Sequence, residues 1–150
     1  MLVAALAIGL TARAADNPPY FVSIKDGTVN MREGPSDMHR IKWVYHRKGL
    51  PLEVLSSFEV WRRVRDMDGE IGWIHMALLS RDRTAVIVGA GDAAIRMHED
   101  EDSEIVAEAE PGAIGRLEVC GEQACEVKFE HAQGWIDRSR LWGIHAGKKF

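Results

Sequence analysis

GWIHMALL, from Gly72 to Leu79, and GWIDRSRL, from Gly134 to Leu141, are one phrase written twice in a chain of 150 residues. Each runs Gly-Trp-Ile, then four residues, then Leu. A fixed order of this kind is the mark of an internal repeat, and it has to be read before any single element. With Trp73 laid on Trp135, Val64 meets Val127 once a residue is deleted at the intervening turn. GLPLEVL (Gly49 to Leu55) falls on GAIGRLEV (Gly112 to Val119), and VNMREGPS (Val29 to Ser36) on AIRMHEDEDS, with Arg32 on Arg96. Identity is low but the order is kept throughout.

Each unit is about 50 to 55 residues of short, β-rich runs. IKWVYHR (Ile41 to Arg47) alternates and is rich in aromatic and β-branched residues, which predicts a strand. EVWRRVR predicts another, with Trp61 out of step with Val60 and Val64, as at a bulge or twist. Asp68-Gly69 marks a tight hairpin, because Gly accepts positive φ. RTAVIV (Arg83 to Val88) reads as a buried strand, and AIGRLEV, CEVKF and GWID repeat the series. No segment holds a helical period over three turns; EDSEIVAEAE comes nearest and reads as a charged loop entering a strand. Closely spaced short strands predict small barrels or sandwiches.

The order of the first unit is specific. Asn30, Arg32, Gly34-Pro35-Ser36, Lys48-Gly49, Trp61, Val64, Gly72-Trp73-Ile74 and Leu79 resemble the bacterial SH3-like domain family. The second unit lacks the Gly-Pro-Ser turn and has Ala124 where Trp61 stands, but keeps Pro111-Gly112, Val127, Gly134-Trp135-Ile136 and Leu141. From Phe21 to His145 the chain is similar to exported tandem SH3-like proteins of Gram-negative bacteria. The resemblance implies an all-β fold of two tandem small SH3-like β-barrels. It makes Gly-Trp-Ile the fourth strand of each, with a 3₁₀ turn before the closing Leu. The expected division is 21–88 for the first barrel, 89–92 for a linker and 93–145 for the second. Units this small sit near the lower limit for an independent core, so the two are expected to lean on each other.

Residues 1–14 read as a secretory signal: Leu2 to Leu10 is apolar or small, and Ala12-Arg13-Ala14 offers a cleavage site. The alternative is an N-terminal tail that is disordered or lies on a membrane. Export to the periplasm suits the cysteines, since disulfides persist in oxidising compartments. Cys120 and Cys125 flank four residues between two strand-like runs, which favours a disulfide across a hairpin over free thiols or a metal site. After signal removal no apolar run is long enough to span a bilayer.

The formal net charge of −4 argues against nucleic acid as a partner. The charge is divided unevenly. Val29 to Arg83 holds ten Lys and Arg against eight Asp and Glu, whereas Ala90 to His145 holds five against thirteen. VIVGAGDAA (Val86 to Ala94) imitates a dinucleotide fingerprint, but Ile95-Arg96-Met97-His98 and an acidic run follow where a helix is required, so no nucleotide is expected. HEDEDSE (His98 to Glu104) lacks the spaced ligands and fixed glycine of a calcium loop and reads as a solvated loop. The six histidines are scattered and form no catalytic or metal motif. No cofactor and no enzymatic activity are expected.

The residues that suggest binding are Trp43, Tyr45, Trp61 and Arg63, in the less acidic unit. Aromatic side chains beside cationic ones can line a groove for an extended peptide. The competing reading is that these aromatics pack in the core or between the barrels. Trp73 and Trp135 are assigned to packing. The expected function is a non-enzymatic binding module, and the resemblance implies a peptidoglycan stem peptide or a periplasmic protein as partner. The alternative is an assembly protein whose barrels pack into an oligomer.

Overall fold

A computed structural model describes residues 17–150. The proposed signal at 1–14 lies outside the described residues. Seven strands form the first unit: β1 (Tyr20–Ile24), β2 (Val29–Arg32), β3 (Ile41–Tyr45), β4 (Pro51–Phe58), β5 (Trp61–Arg65), β6 (Ile71–His75) and β7 (Leu79–Ser80). Seven more form the second: β8 (Thr84–Ile87), β9 (Ala93–Arg96), β10 (Ile105–Ala109), β11 (Ile114–Cys120), β12 (Ala124–Lys128), β13 (Gln133–Asp137) and β14 (Leu141–Trp142). The strand orders are β3-β2-β6-β5-β4-β1-β7 and β10-β9-β13-β12-β11-β8-β14, one topology used twice. All pairings are antiparallel. The all-β tandem architecture expected from the repeat is present.

The repeated phrase now has a physical reading, residue by residue. A Cβ on Gly72 would stand 2.9 Å from the Arg32 carbonyl oxygen and still closer to the Met31 side chain. A Cβ on Gly134 would stand 2.5 Å from the Arg96 carbonyl oxygen. Only glycine lets β6 cross β2, and β13 cross β9, at that distance. Ile74 and Ile136 are fully buried, one in each core. Met76–Leu78 and Arg138–Arg140 form the 3₁₀ turns, each opened by a side chain, His75 or Asp137, that accepts a backbone N–H. Leu79 and Leu141 then pack on their cores and close the barrels.

The bulges also repeat. The β4–β5 register shifts between Val54 and Ser56, and the β11–β12 register between Leu117 and Val119. Such bulges bend a sheet so that it can curl into a barrel. The irregularity expected at Trp61 therefore sits on the facing strand. At the end of the β5–β6 hairpin, the Asp66 carboxylate accepts from the backbone N–H of Asp68 (3.0 Å) and Glu70 (2.9 Å), with Gly69 at φ +88°. Cys120 and Cys125 face each other in the β11–β12 register and form the expected disulfide.

The division between the barrels differs from expectation. β8 pairs with β11 and β14, so RTAVIV belongs to the second barrel. Gly89–Asp92 is no linker but a turn inside that barrel, wrapped by Arg140, which donates to the carbonyls of Val88, Gly91 and Asp92. The crossing lies at 81–83. The glycines that suggested a joint serve positive φ in that turn, at Gly89 and Gly91.

The barrels share a packed junction. Ile114 of β11 packs on the first core. The Thr84 hydroxyl donates to the Gly49 carbonyl (2.6 Å), and the Trp142 indole N–H to the Pro51 carbonyl (3.3 Å). Trp142 also meets Phe21 edge-on, and His145 lies tilted against the same ring. Glu53 is buried here, paired with Arg65 opposite it in the register. Burial holds the His145 imidazole below its ordinary pKa; Glu53 pulls back against this, while Lys148 and Arg83 add to it.

Two outcomes follow. Gly134→Ala should cost more than about 2 kcal/mol in denaturant unfolding, because backbone has to move. The pH test concerns His145, whose imidazole holds a proton less readily in the folded chain than in the unfolded one. As pH falls below the ordinary imidazole value of about 6.5, the unfolded chain takes up a proton first, so stability drops until the folded pKa is passed. Thermal melts across that window should fall more steeply for the native chain than for His145→Gln.

Candidate functional site

The four residues expected to line a groove do not share one surface. Tyr45 is buried in the first core, and its hydroxyl donates to the Asp66 carboxylate at 2.7 Å. Burial, together with Asp66, pushes the phenol far above its ordinary range, so it remains a donor. Tyr45 is therefore a structural residue that ties β3 to the β5–β6 turn. Trp61 is also buried and meets the His75 ring edge-on, with centroids 5.4 Å apart. Trp43 is 51% exposed on the edge strand β3, opposite the buried Met31. Arg63 is exposed and lies opposite Trp73. The β2–β3 register shifts between Met31 and Arg32, and Arg32 is the residue that continues the Arg63–Trp73 row. Trp43 and Arg63 thus fall on different faces.

What the register does assemble is a row across the outer face of the first sheet: Arg32 on β2, Trp73 on β6, Arg63 on β5. Trp61 and His75 form the adjoining row. Trp73 is partly exposed and belongs to neither core, which corrects its assignment to packing. Alternation explains this: Gly72 and Ile74 face inward, so the residue between them must face out. Arg32 spends its guanidinium on the carbonyls of Asp37 (3.2 Å) and His39 (2.8 Å), fixing the β2–β3 loop. Arg63 makes no ion pair among the described residues and remains available beside the indole.

The second barrel builds the same row with a different end. Arg96, Trp135 and Glu126 replace Arg32, Trp73 and Arg63. Arg96 again holds its loop, through the Ser103 carbonyl (2.8 Å). Trp135 is partly exposed, as Trp73 is. Glu126, however, accepts from the Gln133 side chain at 2.9 Å. The frame is shared, and the charge beside the indole is reversed.

The remaining sequence candidates stay apart. Among the described residues no group of three His, Cys, Asp or Glu side chains is placed to hold a metal ion. The 98–104 run is a loop, in which His98 N–H is satisfied by the Ser103 hydroxyl. The glycines of the false dinucleotide fingerprint lead into strand β9, so no helix N-terminus stands there. Among the described residues no helix is long and apolar enough to cross a membrane.

Replacing Tyr45 by Phe leaves the buried Asp66 short of a partner and should cost about 1–3 kcal/mol. A melt of that variant beside a binding assay should show lost stability with affinity unchanged.

The bacterial SH3 domain family matches the chain twice, at residues 25–81 and 89–143. Each match begins after the first strand of its sheet, β1 or β8. A comparison with curated proteins finds no match. Among solved structures, NlpC2 from Trichomonas vaginalis is 13% identical, with a TM-score of 0.39 over 85% of this chain and 49% of that one. NlpC1 from the same organism is 15% identical, with a TM-score of 0.38 over 91% of this chain and 50% of that one. The chain thus spans about half the length of either, and likeness at this level fixes neither fold nor activity. The two family matches, each set on its own seven-stranded sheet, show that the chain belongs to the bacterial SH3 domain family and carries that domain in tandem.

Proposed function

We propose that the protein is a non-enzymatic, exported binding module that takes a carboxylate-bearing partner on the outer face of its first barrel. A peptidoglycan stem peptide suits that face, and so does an acidic segment of a periplasmic protein. The observation that carries the reading is the Arg63–Trp73 pair. An unpaired guanidinium beside a partly exposed indole offers a charge-assisted hydrogen bond and an apolar platform together. The matching pair in the second barrel presents Glu126 instead, so only the first unit is suited to an anion. Trp61 and His75, in edge-on contact, form the adjoining row beside this pair. Trp43, on the edge strand, lies outside this site.

Export is supported by the Cys120–Cys125 disulfide, which persists only where thiols are not kept reduced. The family match supports a binding role.

Calorimetric titration with a stem peptide bearing free carboxylates tests the proposal. Arg63→Ala should weaken binding about tenfold, roughly 1.4 kcal/mol, and Arg63→Glu should abolish it. Glu126→Ala should leave it unchanged. Binding that survives Arg63→Glu, or that is lost with Glu126→Ala, refutes the site.

A further inference from the structure

Both sheets end on an exposed edge, and the internal repeat makes the two edges equivalent in position but opposite in charge. In the first barrel the edge is β3; in the second it is β10. Each carries large apolar side chains in the open: Ile41, Trp43 and Val44 on β3, Ile105 and Val106 on β10, all between 38% and 51% exposed. A strand edge with free backbone N–H and C=O groups and apolar side chains is a template for another strand, unless something guards it. The opposite edges, β7 and β14, are two residues long and offer little.

What guards these edges is like charge. β3 lies among Arg40, Lys42, Arg47 and Lys48, and β10 among Asp102, Glu104, Glu108 and Glu110, all exposed. Within the chain Lys42 also pairs with Glu70 (3.2 Å) and Arg47 donates to the Gly112 carbonyl, which leaves Arg40 and Lys48, among the described residues, as the uncommitted charges of the basic edge. Two β3 edges repel, as do two β10 edges, whereas β3 and β10 attract. We propose that β3 of one copy of this chain adds to β10 of a second copy, joining the two sheets edge to edge.

The sequences agree at the level of register. An antiparallel alignment with Val44 opposite Val106 places Lys42 opposite Glu108 within the two strands, and brings Arg40 near Glu110, His46 near Glu104 and Lys48 near Asp102 in the segments that flank them. Opposite charges directly across a strand pair stabilise it, and like charges do the reverse. Shifting the alignment by one residue sets Lys42 against Ala107 or Ala109 and loses that contact. Each edge also carries a bulge against its inner neighbour, at Lys42 and at Val106. The bulges shorten the backbone ladder that a second copy can form, so charge has to carry much of the contact. This makes the association salt-sensitive. It goes beyond the carboxylate site of the first barrel, since Trp73 and Arg63 lie on the outer face of β6 and β5 and stay free when β3 is covered.

Sedimentation of the full chain over a concentration series tests the pairing. The native chain should self-associate in dilute buffer and return to monomer near 1 M salt, where the Debye length is about 3 Å. An acidic-edge variant, Arg40→Glu with Lys48→Glu, should associate at least about tenfold more weakly alone, and so should a basic-edge variant, Asp102→Lys with Glu110→Lys. Mixed in equal amounts, the two variants should associate again, because each then meets an edge of opposite sign. All four positions are exposed and outside both cores; should a double variant lose its cooperative melt, Lys48→Glu and Asp102→Lys replace the pairs. The proposal is overturned by a native chain that stays monomeric at low salt, by a basic-edge variant that still self-associates, or by a mixture that does not.

Discussion

Each barrel depends on one close approach between backbones. β6 reaches β2 beside the Arg32 carbonyl, and β13 reaches β9 beside the Arg96 carbonyl, at distances no side chain tolerates. That crossing fixes the glycine, and the glycine fixes its neighbours. The next residue has to face solvent and the one after it the core, because strand side chains alternate. So Trp73 and Trp135 lie outside, Ile74 and Ile136 inside, and the arginines that share their rows reach across to hold the first loop of each unit. Much of what the two halves have in common descends from this contact.

Neither barrel has a large core, and the junction makes up part of the deficit. Ile114 of the second unit packs on the first core, while Thr84 and Trp142 satisfy carbonyls at Gly49 and Pro51. A buried carboxylate, Glu53, is tolerated in the same region because Arg65 stands across from it. A lone buried charge there would oppose folding strongly. The result is a tandem whose halves meet through specific polar contacts as well as apolar packing, and whose outer faces and edges are left to other uses.

Those uses differ between the halves. A repeat keeps positions that geometry requires and is free elsewhere, so the charges beside the indoles and along the edges mark where the units have diverged. Arg63 against Glu126, and the basic β3 against the acidic β10, are differences imposed on one frame. The packing does not require them, and they are the features from which both proposals are built.

The sequence by itself determined the repeat, the strand content, the hairpin at Asp68-Gly69 and the cysteine pair, because each is a local pattern or a spacing; the 3₁₀ turns came from the family resemblance, since the pattern alone says only a strand followed by a tight turn. It placed the boundary wrongly at Gly89–Asp92, since glycines at positive φ look alike in a linker and in a turn, and only the pairing of β8 with β11 and β14 tells them apart. It grouped Trp43, Tyr45, Trp61 and Arg63 by nearness in the chain. Tertiary structure separated them: Trp43 pairs with Met31, whereas Arg63 lies in the row of Arg32, the next residue on β2, so the two fall on different faces, and the carboxylate of Asp66 drew Tyr45 into the core. The alternation around Gly72 already held the clue to Trp73, but which strand would stand beside it, and so which charge, was a matter of register. Register is set by contacts between residues far apart in the chain, and these exist only once the sheet is closed.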